Sequence, residues 1–98
     1  MLKDTTAVEF EWDRGNLDKS YKRHGVTPNE TEEIFLDENI LISPDTKHSF
    51  SEIRIKAIGK TAEKKLLFVV FTKRGNKIRI ISARLVNKKE KSNYEKTI

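Results

Sequence analysis

The chain contains no cysteine, and that one absence removes disulfide frameworks, thiolate zinc sites and cysteine nucleophiles together. Its two histidines are a poor basis for a structural metal site, so neither a metal nor another cofactor is expected. Long apolar runs are missing as well. The longest spans residues 66–71, far short of the roughly 18 residues needed to cross a bilayer. The N-terminus lacks the basic, apolar, small-residue order of a secretory signal, so the expectation is a cytoplasmic protein with no membrane partner. The glycine-rich phosphate loop, the dinucleotide fingerprint, the zincin helix and the nucleophile elbow are all absent, which withdraws support from those enzyme classes. No recognition helix of the helix-turn-helix kind is visible, nor an aromatic pair on adjacent strands of the kind an RNA-recognition sheet displays. Any chemistry must come from His, Lys, Arg, carboxylates, hydroxyls or Tyr.

Charge is what the chain has in quantity. Its net +5 conceals a division: residues 1–45 sum to −6 and residues 46–98 to +11. A basic half on a small domain is an electrostatic footprint for a polyanion, nucleic acid first, although a solvated basic surface offset by an acidic helix has the same composition. The 98 residues, 36% of them hydrophobic, suffice for a single domain over 1–98 with a small core.

Residues 1–7 show no pattern and are expected to fray. Val8-Glu9-Phe10-Glu11-Trp12 alternates, so Val8, Phe10 and Trp12 share the inner face of a short strand. Asp13 can cap a helix carrying Leu17 and Tyr21, stopped by Gly25 after His24. Thr27-Pro28-Asn29-Glu30 opens a second, short helix with a capping hydroxyl, a proline at the first helical position and a capping-box glutamate. Residues 40–42 pair as an edge strand before the turn chemistry of Ser43-Pro44-Asp45-Thr46. Beyond Phe50 the period becomes two, and strands are predicted over 52–58, 65–72 and 77–85 as an antiparallel meander. The run 66–71, apolar on both parities, is placed centrally with both faces covered. Lys88, Lys89, Glu90 and Lys91 favour a last basic helix, with Tyr94, lying on the sheet.

Strict strand parity in Ile78-Arg79-Ile80-Ile81-Ser82-Ala83-Arg84 assigns one arginine to each face. An arginine in a sheet needs a carboxylate partner or an anion. Glu52 and Arg54, with Lys56 beyond, fall on one parity of the first meander strand, so an ordinary ion pair from Glu52 to Arg79 or Arg84 competes with an anion site. His24 stands where a helix end favours a cation and suits acid–base work, or is simply a C-terminal cap. His48 is read as a polar loop residue rather than a metal ligand.

Five ordered segments then carry a resemblance: Phe10-Glu11-Trp12-Asp13; Lys22-Arg23-His24-Gly25-Val26; Glu52-x-Arg54 leading to Ile58-Gly59; residues 67–72; and Ile78-Arg79-Ile80-Ile81-Ser82-Ala83-Arg84. Together they are similar to the BrnT family of bacterial toxins, across about residues 8–94. The resemblance implies an α+β, RelE-like fold: a twisted antiparallel sheet, made of the three-strand C-terminal meander and an N-terminal strand, flanked by two N-terminal helices and a C-terminal helix. It implies the toxin of a type II toxin-antitoxin system, an endoribonuclease that arrests translation and growth. The implied partner is a BrnA-like antitoxin with a ribbon-helix-helix domain, through which alone DNA would be met. Metal-independent cleavage assigns Glu52 or His24 as base, His24 as acid, and Arg54, Arg79 and Arg84 as phosphate clamps; Lys19, Lys22, Arg23 and Lys56 are secondary RNA contacts. Two other readings stand beside it: a non-catalytic RNA- or ribosome-binding inhibitor, and a subunit that only binds its antitoxin.

Overall fold

Thr27 shows how directly local sequence sets local structure. Its hydroxyl accepts the Glu30 backbone N–H at 3.2 Å, and the Glu30 carboxylate accepts the Thr27 N–H at 3.0 Å. This reciprocal box satisfies two orphan donors and opens helix α1 (Pro28–Glu33). The computed structural model describes residues 9–12, 15, 21, 23–48 and 51–98. Gly15, Tyr21, Arg23 and His24 are helical. Gly25 ends that stretch with φ +66°, its N–H donating to the Tyr21 carbonyl at 2.9 Å, the left-handed cap for which glycine is favoured. Val8, Asp13, Leu17, Lys19 and Lys22 lie outside the described residues.

The remaining elements are strand β1 (Glu9–Trp12), a 3-10 turn (Ile34–Leu36) continuing α1, β2 (Leu41–Pro44), a second 3-10 turn (Thr46–His48), β3 (Ile55–Lys60), β4 (Leu66–Arg74), β5 (Lys77–Leu85) and helix α2 (Lys88–Glu95). Five strands form one sheet in the order β1-β5-β4-β3-β2. The meander β3-β4-β5 is antiparallel as expected, and β2 joins its edge antiparallel to β3. The expectation of a wholly antiparallel sheet is corrected at β1, which runs parallel to β5 and makes the sheet mixed. Period-two patterning specifies which residues point inward but not the direction of a neighbour distant in sequence. The β4–β5 hairpin turns on Gly75, at φ +62°, a position where a tight hairpin requires glycine.

The core lies on one face. Val26, Ile34 and Phe35 pack against Ala57, Leu67, Val69, Phe71, Ile78, Ile80 and Ala83, with Phe10 and Trp12 of β1 at its edge. Each large side chain buried there contributes about 1.5–3 kcal/mol. The Phe35 ring stacks 5.3 Å from Phe10 and 5.2 Å, edge-on, from Phe71, fastening the 3-10 turn to two strands. Trp12 Nε1 donates to Glu32 at 3.0 Å, tying β1 to α1. Gly59 admits the turn: a Cβ there would stand 2.7 Å from Ile34 Cβ.

The central strand is not covered equally on both sides. Leu67, Val69 and Phe71 are buried, whereas Leu66, Phe68 and Val70 are only half-buried. Helix α2 crosses one end of that second face. It is held there by Tyr94, whose hydroxyl donates to Asp37 at 2.6 Å while the same carboxylate oxygen accepts the Lys60 backbone N–H at 2.9 Å. Burial first, and then this bond to an anion, push the Tyr94 phenol well above its ordinary pKa.

Candidate functional site: the open face of the sheet

Strict parity fails in β5, and the failure builds the site. Ser82 pairs with Val70 and Ile80 with Phe71, so Ile81 is an extra residue in the ladder, a β-bulge. Ile78, Ile80 and Ala83 are therefore all buried in the core, and Arg79, Ser82 and Arg84 share the opposite face. The expectation of one arginine per face is corrected: both lie on the open side. Cross-strand rows follow from the register. Glu11, Arg79 and Thr72 form one, Ser82, Val70, Lys56 and Ser43 the next, and Arg84, Phe68, Ile58 and Leu41 the third.

The two arginines are drawn to different ends of this face. Their rows meet β4 at Thr72 and Phe68, about 13 Å apart at roughly 3.3 Å per residue. Arg84 donates from both terminal guanidinium nitrogens to Glu90 at 2.8 Å, and its Cζ sits 4.3 Å from the Phe68 ring centroid. The bond from Glu90 holds the Arg84 guanidinium above its ordinary pKa, against an opposing effect of burial. Burial pushes the Glu90 carboxyl up, but Arg84, the Asn87 backbone N–H and the charge of Lys56 outweigh it, leaving the group below the ordinary carboxylate range. Glu90 also closes the capping box of α2 with Asn87. Arg79 faces Glu11 more loosely, at 3.8 Å.

Between α2 and the sheet lies a cleft of about 310 Å³ whose walls include Ser43, Lys56, Phe68, Asn87, Lys89 and Glu90. Lys56 makes no ion pair with the described residues. With Lys89, it offers positive charge to an anion entering there.

Glu52 and Arg54 are not in a strand, because β3 begins at Ile55. The Thr72 hydroxyl donates to the Ile53 carbonyl at 2.8 Å, and a side-chain bond thus stands where a ladder bond was expected. Glu52 pairs with Arg74 at 3.1 Å, not with Arg79 or Arg84. Arg54 precedes β3, and its carbonyl accepts the Asp45 N–H at 2.9 Å. His24 and Arg23 are exposed at the helix end, on a different element from the sheet cations. Lys19 and Lys22 lie outside the described residues.

One pair escaped the sequence reading. In the turn Thr46–His48, His48 Nδ1 lies 3.0 and 3.1 Å from the two oxygens of Asp45. The available signal was the three-residue spacing of Asp45 and His48, which a 3-10 turn brings onto one side. No group of metal-binding residues occurs among the described residues, nor any helix long and apolar enough to cross a membrane.

These features define a small basic α+β domain with one sealed sheet face and one face suited to a polyanion. The family model for the ribonuclease toxin BrnT of type II toxin-antitoxin systems matches residues 12–90, and the chain belongs to that family of ribonucleases. Among solved structures it is similar to the 1.1 Å crystal structure of the Brucella abortus ribonuclease toxin BrnT, with a TM-score of 0.65 and 24% sequence identity. That likeness covers 83% of this chain and 99% of the other, and shows a shared fold. No curated protein matches the chain.

Proposed function

We propose that the protein cuts RNA on the open sheet face by metal-independent acid–base chemistry. The observation that carries this is the bulge at Ile81, which turns both Arg79 and Arg84 to the side of the sheet that bears Lys56. RNA supplies its own nucleophile. A base removes the proton of a 2′-hydroxyl, the 2′-oxygen attacks the adjacent phosphorus, the bond to the 5′-oxygen breaks, and an acid protonates that leaving oxygen. The products are a 2′,3′-cyclic phosphate and a 5′-hydroxyl. Guanidinium and ammonium groups lower the barrier by neutralising charge that accumulates on phosphorus-bound oxygens. Arg54, Lys56 and Arg79 take that role, and Arg84 joins it from its seat on Phe68. Glu52 or His24 serves as base and His24 as acid, with Lys19, Lys22 and Arg23 as outer contacts to the strand.

The setting is the cytoplasm, where cleavage arrests translation and growth. A BrnA-like antitoxin covers the basic face through an acidic segment, since complementary charge speeds association, and its own ribbon-helix-helix domain supplies any contact with DNA. The deciding experiment is incubation of the purified protein with RNA in excess chelator. New 5′-hydroxyl ends are expected, and their loss in Arg79→Ala at unchanged melting temperature. Stoichiometric protection of RNA without new ends would instead establish an inhibitor that acts by occupancy.

A further inference from the structure

The Asp45–His48 pair belongs to none of the roles assigned above, yet it has the geometry of a proton-handling dyad. An ionised carboxylate only accepts hydrogen bonds, so an imidazole nitrogen at 3.0–3.1 Å from both its oxygens must carry the hydrogen. That fixes the tautomer. In the neutral ring the lone pair is then on Nε2, the end pointing away from Asp45. The carboxylate is 12% exposed and the imidazole 60%, so the orienting group is shielded while the working end is open to a large ligand. Such an arrangement, with a sheltered acid fixing one ring nitrogen and the other free, is what a general base needs.

Position agrees with chemistry. Pro44 pairs with Ile55 and Ser43 with Lys56, and the Asp45 N–H to Arg54 carbonyl bond extends that ladder by one rung. Alternation puts Asp45 on the side of Ser43 and Lys56, the open face. The turn thus holds His48, through Asp45, beside the end of β3 at which Arg54 enters the sheet. Glu52, the carboxylate assigned as base from sequence, is occupied by Arg74.

Resting on the ribonuclease reading, we propose that His48, in place of Glu52 or His24, is the general base of this toxin, with Asp45 as its positioning residue. Nε2 takes the proton of the 2′-hydroxyl as the 2′-oxygen bonds to phosphorus. The bond to the 5′-oxygen breaks, and that oxygen receives a proton from a separate acid.

The test compares wild type and His48→Ala on RNA and on the same RNA with sulfur replacing the 5′-oxygen at one linkage, a leaving group that needs no acid. Removal of a general base should slow both substrates about 10²- to 10⁴-fold, with at most a small drop in melting temperature because the side chain is mostly exposed, and added imidazole should restore part of the rate. Asp45→Asn should lower kcat with KM unchanged. Recovery of His48→Ala on the sulfur substrate would overturn the base assignment by making His48 the acid. Wild-type rates in His48→Ala, or a loss that imidazole does not relieve, would overturn it as well. A wild type that cleaves neither substrate overturns the ribonuclease reading and this one together, whereas wild-type cleavage with an unimpaired variant overturns this one alone.

Discussion

Both terminal guanidinium nitrogens of Arg84 end 2.8 Å from the two carboxylate oxygens of Glu90, six residues further along the chain. The pair closes the β5–α2 corner over the Phe68 ring. Arg84 therefore has a structural partner as well as a place on the basic face, and the two roles separate by mutation. Glu90→Ala removes a bidentate bond and half a capping box at once, and should cost about 2–3 kcal/mol in urea unfolding. Its carboxyl is held below the ordinary value of 4.5. The associated stability is present above that value and lost as the pH falls through the lowered folded one. Melts from pH 7 to pH 3 should lose this acid-dependent component in Glu90→Gln.

Tyr94 predicts the opposite limb. Its phenol is raised from an ordinary 10.0, so the folded state favours the protonated form. That stability is complete below pH 10 and declines as the pH climbs towards the raised folded value. Tyr94→Phe leaves Asp37 its bond from the Lys60 N–H but removes the hydroxyl donor, at about 1.5–3 kcal/mol for a bond to a charged group. Unfolding measured between pH 8 and pH 11 should fall less steeply in the variant; equal slopes would remove Tyr94 from the alkaline transition.

Gly59 is a matter of space. Added Cβ density would meet Ile34 Cβ at 2.7 Å and its carbonyl oxygen at 3.0 Å, and backbone cannot yield as a flexible side chain would. Gly59→Ala should destabilise by about 1–3 kcal/mol, lowering Tm by roughly 4–8 °C per kcal/mol in a domain of this size. An unchanged Tm would mean that the 3-10 turn moves freely over β3.

On the open face, salt dependence counts phosphate contacts. Each cation that neutralises a phosphate of single-stranded RNA contributes about 0.7 to the slope of log K against log salt. Lys56→Ala and Arg79→Ala should each reduce that slope by about this amount, while Arg74→Ala, at the hairpin with Glu52, should not. Equal slopes in all three would place RNA elsewhere.

What the sequence determined by itself was local. Thr27-Pro28 and Gly25 punctuate helices because caps and left-handed φ are properties of a few adjacent residues, and the alternation in β3 to β5 identifies a meander because apolar side chains must reach one side. The ordered motifs from Phe10 to Arg84 also sufficed to mark the family. Tertiary structure decided the rest. The direction of β1, the exchange of Arg79 or Arg84 for Arg74 as partner of Glu52, and the grip of Glu90 on Arg84 all depend on which strand lies beside which. The bulge at Ile81 belongs with them. A single extra residue reverses parity for all that follows, and it shows only in the pairing of β5 with Val70 and Phe71 on the neighbouring strand.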